Sequence, residues 1–273
     1  MHNPIWVPTK ERIRNSLISD FIKFLSDSNV HKFDDYPSLW KWSIDMPDEF
    51  WSLFWDFSKI IGYKGDEILT IRRDPTKSKF FSDSKISFAE NILKSNELEN
   101  KIIFWAEDKF RRELDLEQII NQVHSLSNFF ISNGIKEGDR IAGYLSNIPE
   151  GVIAALAASN VGAIWSSCSP DFGVDSAVDR FIQISPKMLF TSDQVIQNGE
   201  FEELNIRVNE IVSRIPSIEK VVVSNYVPGK PKILDKFNNS VSFSEIINFL
   251  YHLQYWIKEF HCRETNIYLL YQR

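Results

Sequence analysis

Two polar loops hold the residue types in this chain that could do chemistry. The first, Ser166-Ser167-Cys168-Ser169-Pro170-Asp171-Phe172-Gly173, follows a predicted strand and precedes a predicted helix, which is where open α/β sheets place their ligands. Its small side chains would let a slender substrate arm approach the backbone. A plainer role stands beside that one: Ser169 or Asp171 could simply cap the following helix, because strand-to-helix turns commonly need such a residue. The second loop, Thr191 to Glu200, occupies the next position along the same predicted sheet edge and contains Gln197 and Gly199.

Other chemistries find little support. Neither G-x-G-x-x-G nor G-x-x-x-x-G-K-[ST] occurs, and ten glycines leave little material for a backbone nest around phosphates. A Rossmann oxidoreductase or P-loop kinase is therefore disfavoured. No G-x-S-x-G elbow is present, so His124, Cys168, Asp179 and Arg180 do not read as a nucleophilic site. Asp179 beside Arg180 reads instead as a source of surface or inter-loop pairs. His2, His31, His252 and His261 lack zinc-ligand spacing, and no metal site is assigned.

The loops depend on an alternation of strands and helices that starts after Asn100. Ile102 to Ala106 is a short apolar strand, and Leu116 to Asn133 is helical, with Ile119, Ile120, Val123, Leu126 and Phe129 on one side and Gly134 at its C-cap. Strands are expected at Arg140–Leu145, Ala163–Ser166, Met188–Thr191 and Lys220–Val223. Helices are expected between them near Pro149–Ser159, Val174–Ile184 and Glu202–Arg214. Short buried strands joined by helices of this length imply βαβ crossovers and a parallel sheet with helices on both faces.

The N-terminal part is different. Ile13, Leu17, Ile18, Phe21, Phe24 and Leu25 recur at helical spacing over Lys10 to Asp27. Asp45, Pro47, Asp48 and Glu49 then form a helix-start signature before an aromatic run that ends at Gly62. Trp40, Trp42, Trp51 and Trp55 crowd together there. Trp51 and Trp55 share one helix face, which favours a core role over a ligand platform. Asp66 to Asp83 is polar and reads as an extended connector with a turn.

Composition narrows the function classes further. Net charge is −6, which argues against a general phosphate-backbone binder and so against nucleic acid. The most apolar window, Gly151 to Trp165, is interrupted by Ser159-Asn160 and is too short to cross a bilayer core of about 30 Å, so no membrane association is expected. Cys168 and Cys262 match no paired framework, and the N-terminus lacks a secretory apolar segment. A reducing cytoplasm is the expected location.

The run Gly138 to Phe190, above all NIPEGVIAALAASNVGAIWSSCSPDFG, closely resembles the acetoacetyl-CoA synthetase branch of the adenylate-forming acyl-CoA ligases. Asp34 to Phe57, DDYPSLWKWSIDMPDEFWSLFWDF, is similar to the N-terminal extension of those enzymes. Phe80 to Leu93, FFSDSKISFAENIL, resembles their Trp-Phe-Pro-Gly-Ala-Arg-Leu-Asn-Tyr-Ala-Glu-Asn-Leu-Leu, with Lys85 in place of the arginine. The resemblance spans residues 30–246.

That resemblance implies a fold and an activity. The fold is an α/β one: a helical, aromatic-rich N-terminal extension (1–95) packed on a parallel-sheet subdomain (96–273) that is the first part of an AMP-binding domain. The activity is conversion of acetoacetate, ATP and CoA into acetoacetyl-CoA, AMP and pyrophosphate, with magnesium assisting. Ser169, Pro170 and Asp171 fall on the loop that lines the pantetheine tunnel of CoA, and Gln197 and Gly199 fall on the loop facing its nucleotide. The branch has Gly-Lys where this chain has Gly199-Glu200, and a carboxylate does not attract a phosphate. Ile267 to Tyr271 resembles the strand that leads into the family's phosphate-gripping loop, so the catalytic groups are expected beyond Arg273 and the chain alone is expected to be inactive. A ligase for another short-chain acid, or a non-catalytic scaffold or regulatory module with the same fold, remain the alternatives.

Overall fold

Local capping chemistry breaks the first expected helix in two. The computed structural model, which describes residues 5–71, 74–94, 101–106, 109–197, 199–227 and 239–251, places α1 at Lys10–Arg14 and α2 at Leu17–Asp27. Between them the Ser16 hydroxyl donates to the Ile13 carbonyl (2.7 Å) and accepts from the Ser19 amide (3.3 Å). Those side-chain bonds compete with a continuous helical ladder.

Helices α3 (Tyr36–Asp45) and α4 (Pro47–Phe57) follow. In the sequence the α3 stretch stands out only as an aromatic cluster. Its start is set by the Asp35 carboxylate, which accepts from the Ser38 amide at 2.9 Å. Asp45, expected to open the next helix, closes α3 instead and pairs with Lys41 at 2.8 Å. Pro47 opens α4 without a side-chain cap, and Asp48 and Glu49 occupy its first turn, near the positive end of the macrodipole. The helix ends at Phe57 rather than at Gly62. Gly62, at φ +151°, begins strand β1 (Gly62–Tyr63), where a Cβ would come within 2.5 Å of the Lys85 carbonyl oxygen.

The expected connector forms β2 (Leu69–Thr70) and β3 (Lys79–Phe80), paired antiparallel, while β4 (Lys85–Ile86) pairs with β1. These elements form one compact unit, Met1–Ile86. Phe21, Leu25, Leu39 and Trp42 are its buried centre. Trp42 is thus the core tryptophan of the unit. Trp51 and Trp55 are half-buried, Trp51 edge-on to Phe80 (centroids 5.5 Å apart) and Trp55 tilted against Phe81 (4.9 Å).

The second unit, Ser87–Arg273, starts with α5 (Phe88–Leu93), capped by Ser87, and a hairpin of β5 (Lys101–Ala106) and β6 (Phe110–Asp115). Strand β6 carries no clear sequence signal, because Arg111, Arg112 and Glu113 hide its period-two alternation of burial. It leads directly into α6 (Leu116–Ser132), whose start is a capping box: the Asp115 carboxylate accepts from the Gln118 amide (2.8 Å), and the Gln118 side chain accepts from the Asp115 amide (3.0 Å).

There follow β7 (Arg140–Tyr144), α7 (Pro149–Asn160), β8 (Ile164–Cys168), α8 (Val174–Ile184), β9 (Met188–Ser192), β10 (Gln194–Gln197), β11 (Glu200–Glu203), α9 (Asn205–Arg214), β12 (Lys220–Ser224), β13 (Ser240–Ser242) and α10 (Phe243–Tyr251). Five strands form one parallel sheet in the order β13-β12-β9-β7-β8. Strand β5, expected to belong with these, pairs only with β6 among the described residues.

Alternation along the central strands builds two cores. Ile141, Met188, Phe190 and Val222 face a cluster with Leu126 and Phe130 of α6 and Ile153 and Ala157 of α7. Ala142, Tyr144, Leu189, Val221 and Val223 face Val178 and Phe181 of α8 and Val208 and Ile211 of α9. This is the period of two expected of strands buried on both faces. From β7 the chain passes to β8 on one side, then crosses to β9 on the other, so the order reverses between β7 and β9.

Candidate functional site

In open α/β sheets, ligands gather beyond the carboxyl ends of the strands, at the point where the strand order reverses. Here that point lies between Tyr144 and Thr191, and the Thr191 hydroxyl donates to the Tyr144 carbonyl at 2.9 Å. Four strand ends meet around it: the turns after β7, β8, β9 and β12. Beyond β9, buried Asp193 holds its neighbours together. Its amide donates to the Ser224 carbonyl (3.0 Å), its carboxylate accepts from the Tyr226 amide (2.9 Å), and its carbonyl accepts from the Leu204 amide (3.1 Å).

The loop after β8 is a tight local turn. The Ser169 hydroxyl donates to the Asp171 carboxylate at 2.7 Å and accepts from the Asp171 amide at 3.3 Å, while the Phe172 amide donates to the Ser169 carbonyl at 3.1 Å. Neither Ser169 nor Asp171 caps α8. The N-cap is Gly173, and no side chain bonds there. Ser169 is half-buried, Pro170 buried and Asp171 exposed.

Two long-range contacts hold this turn in place, and sequence patterning signalled neither. The Tyr144 hydroxyl, rising from the end of β7, lies 3.2 Å from the Pro170 carbonyl and 2.9 Å from that of Phe172. Arg207 of α9 donates to the Pro170 carbonyl at 3.0 Å and pairs through its other terminal nitrogen with Glu202 of β11. Arg180 lies over the Phe172 ring at 4.4 Å and donates to the Ser176 carbonyl.

The expected second loop is mostly a hairpin. β10 and β11 pair antiparallel, Gln197 opposite Glu200, and Gly199 at φ +80° supplies the left-handed residue of the turn. The start of α9 moves accordingly from Glu202 to Asn205. Through Arg207, the hairpin and the Ser169–Gly173 loop are neighbours along one edge.

The electrostatics argue against nucleophilic chemistry at Cys168. Burial pushes the Cys168 thiol up to about 11, although Arg180 opposes that, so the thiol is protonated at neutral pH. Burial also raises the Tyr144 hydroxyl above its ordinary value, with Arg207 opposing, and leaves it a hydrogen-bond donor. Among the described residues no group of three or more His, Cys, Asp or Glu side chains could hold a metal ion. No helix among them is long and apolar enough to cross a membrane.

Beside the edge strand β8 lies a cavity of about 490 Å³ that reaches Ser167, Cys168 and Ser169 at one end. Its walls are mainly Phe88, Leu145, Ile148, Val152, Leu156 and Trp165, and among the described residues no charged one lines it. The Ser146 and Ser159 hydroxyls at this cavity are buried without hydrogen-bond partners among the described residues. The volume suits a small-molecule pocket.

Comparison with known proteins agrees with this architecture. The family model described as AMP-binding enzyme matches residues 97–245. The chain is 34% identical over 212 residues to the acetoacetyl-coenzyme A synthetase of Rhizobium meliloti (strain 1021), covering 78% of this chain and 33% of that protein. It is 35% identical over 248 residues to the acetoacetyl-CoA synthetase of Macaca fascicularis, covering 89% and 37%. The solved structure of acetoacetyl-CoA synthetase from Streptomyces lividans superposes with a TM-score of 0.80 at 26% identity, covering 90% of this chain and 38% of that one. The chain therefore spans about a third of the length of the curated relatives it matches.

Proposed function

The chain belongs to the AMP-binding enzyme family, and from that premise we propose that it is the N-terminal part of an acetoacetate–CoA ligase. The complete enzyme would join acetoacetate to CoA at the expense of ATP. The acetoacetate carboxylate attacks the α-phosphorus of ATP, giving an acyl-adenylate and pyrophosphate, and the CoA thiolate then displaces AMP. Magnesium would assist the first step. Residues 1–95 serve as the N-terminal extension and 96–273 as the first part of the AMP-binding domain. The partners are the small molecules acetoacetate, ATP and CoA, with no nucleic acid or membrane, and the location is the cytoplasm.

Within this scheme the chain contributes to the CoA side. Ser169, Pro170 and Asp171 flank the pantetheine arm, and Gln197 and Gly199 lie toward the nucleotide. A turn already stiffened by Ser169, Tyr144 and Arg207 spends little entropy when an arm is laid along it. Glu200 is exposed, and its carboxylate repels a phosphate, which keeps the nucleotide's charged groups away from that position.

The similarity to acetoacetyl-CoA synthetases across most of the chain carries this reading. A chimera tests it: residues 30–246 replace the aligned segment of the Rhizobium meliloti relative. The expected result is acetoacetyl-CoA and AMP from acetoacetate, ATP and CoA. A folded chimera unable to exchange pyrophosphate would count against the ligase. One that exchanges pyrophosphate without forming thioester would remove the CoA assignment alone.

A further inference from the structure

The Pro170 carbonyl accepts from two donors that come from distant parts of the chain, the Tyr144 hydroxyl at 3.2 Å and the Arg207 guanidinium at 3.0 Å. The Tyr144 hydroxyl also lies 2.9 Å from the Phe172 carbonyl. A tyrosine hydroxyl has one proton and cannot fully serve two carbonyls. Arg207 supplies the second donor. Its other terminal nitrogen is held by Glu202 of the β10–β11 hairpin. The arginine is itself well anchored, because Leu204 and Val208 on either side of it in sequence are fully buried.

We propose that Arg207 is a positioning residue for substrate binding: it locks the Ser169–Gly173 loop to the β10–β11 hairpin so that the two loops present CoA with one pre-formed surface. The inference rests on the assignment of these loops to CoA. The planar fork of arginine suits the task, with one nitrogen for a carbonyl and the next for a carboxylate. A lysine offers its donors from a single point and can keep only part of the bridge. Without the bridge, Tyr144 is left to divide its proton between Pro170 and Phe172, and the loop must be ordered at the moment of binding rather than beforehand.

The test uses the purified chain with CoA as the probe, in the wild type, Arg207→Ala and Arg207→Lys. Affinity is read by titration calorimetry and loop order by hydrogen exchange at the Asp171 and Phe172 amides, both of which bond to Ser169. Arg207→Ala is expected to weaken CoA binding about tenfold and to speed exchange at those two amides by a similar factor, with Arg207→Lys in between. Exchange in β7 and β9 should stay at wild-type values, so that any fall in the thermal midpoint is separated from the local change at the loop. If the wild type binds CoA and Arg207→Ala binds equally well, the inference is wrong. If affinity falls while loop exchange is unchanged, Arg207 touches the ligand directly and is not a positioning residue. A wild-type chain that does not bind CoA removes the CoA assignment, and the inference with it.

Discussion

Arg112 of β6 grips Glu150 of α7 with both prongs of its guanidinium, Nη1 to Oε1 at 2.7 Å and Nη2 to Oε2 at 3.0 Å. The pair ties the β5–β6 hairpin to the first turn of α7, where a carboxylate also suits the helix dipole. The Arg112 side chain is 21% exposed and that of Glu150 12%, so the contact is neither a solvated surface pair nor a fully buried one. Arg112 also stacks over the Phe104 ring at 5.0 Å. Substituting Arg112→Ala is expected to lower stability by about 2 kcal/mol, between the values for exposed and buried pairs. Arg112→Lys should recover less than half of that, because lysine cannot make the two-pronged contact. Urea titrations of the two variants check this, and equal stability of Arg112→Lys and wild type would show the fork geometry to be unimportant.

Trp42 should outrank its neighbours in the N-terminal unit. It packs against His31, Phe33 and Phe50, and its indole N–H donates to Glu49 at 3.1 Å. Trp42→Ala is expected to cost about 3 to 5 kcal/mol. Half-buried Trp51 and Trp55 should cost clearly less within that unit, about 1 to 2 kcal/mol each. Chemical unfolding followed by far-UV circular dichroism ranks the three. The reverse order would contradict the packing of the unit around Trp42.

Alkaline pH should destabilise the sheet unit through Cys168. Its thiol is held up to about 11 in the fold against an ordinary value near 9, so between those values the unfolded chain releases a proton that the folded chain keeps. Stability is therefore intact below about pH 9 and falls as pH rises towards 11. Tyr144, also raised by burial, acts in the same direction at higher pH. Cys168→Ala should flatten the slope over this window in pH-dependent melting curves. Alkylation of folded Cys168 by iodoacetamide at pH 8 should be far slower than that of unfolded protein.

Ser169 should matter for one half-reaction only. In the chimera, Ser169→Leu is expected to raise the KM for CoA about tenfold and leave acetoacetate-dependent pyrophosphate exchange near its starting rate. Ser169→Ala keeps the space while removing the 2.7 Å bond to Asp171, and so separates bulk from loop order. Equal loss of both half-reactions would assign the loop to folding.

Much of this architecture is legible in the sequence. Helix α8 falls at Val174–Ile184 as its periodicity requires, and the strands near 140, 164, 188 and 220 match to within two residues. Both carry a repeating burial signal inside one short window. Strand β13 carried too few residues for such a signal, and charged side chains obscured β6. The helix break at Ser16 depended on single side-chain hydrogen bonds that compete with propensity.

The sequence by itself determined the α/β class, the positions of most sheet strands and the two loops that follow β8 and β9, because hydrophobic periodicity and short polar turns are local properties of the chain. Only the tertiary structure decided the strand order, the placing of β5 in a hairpin outside the parallel sheet, and the partners that hold the Ser169–Gly173 loop. Tyr144 and Arg207 lie 26 and 37 residues from Pro170. Their meeting there follows from the crossover that sets β7 between β8 and β9. A contact of that kind leaves no period in the sequence, since it is fixed by how the buried faces of several elements pack together and not by any one of them.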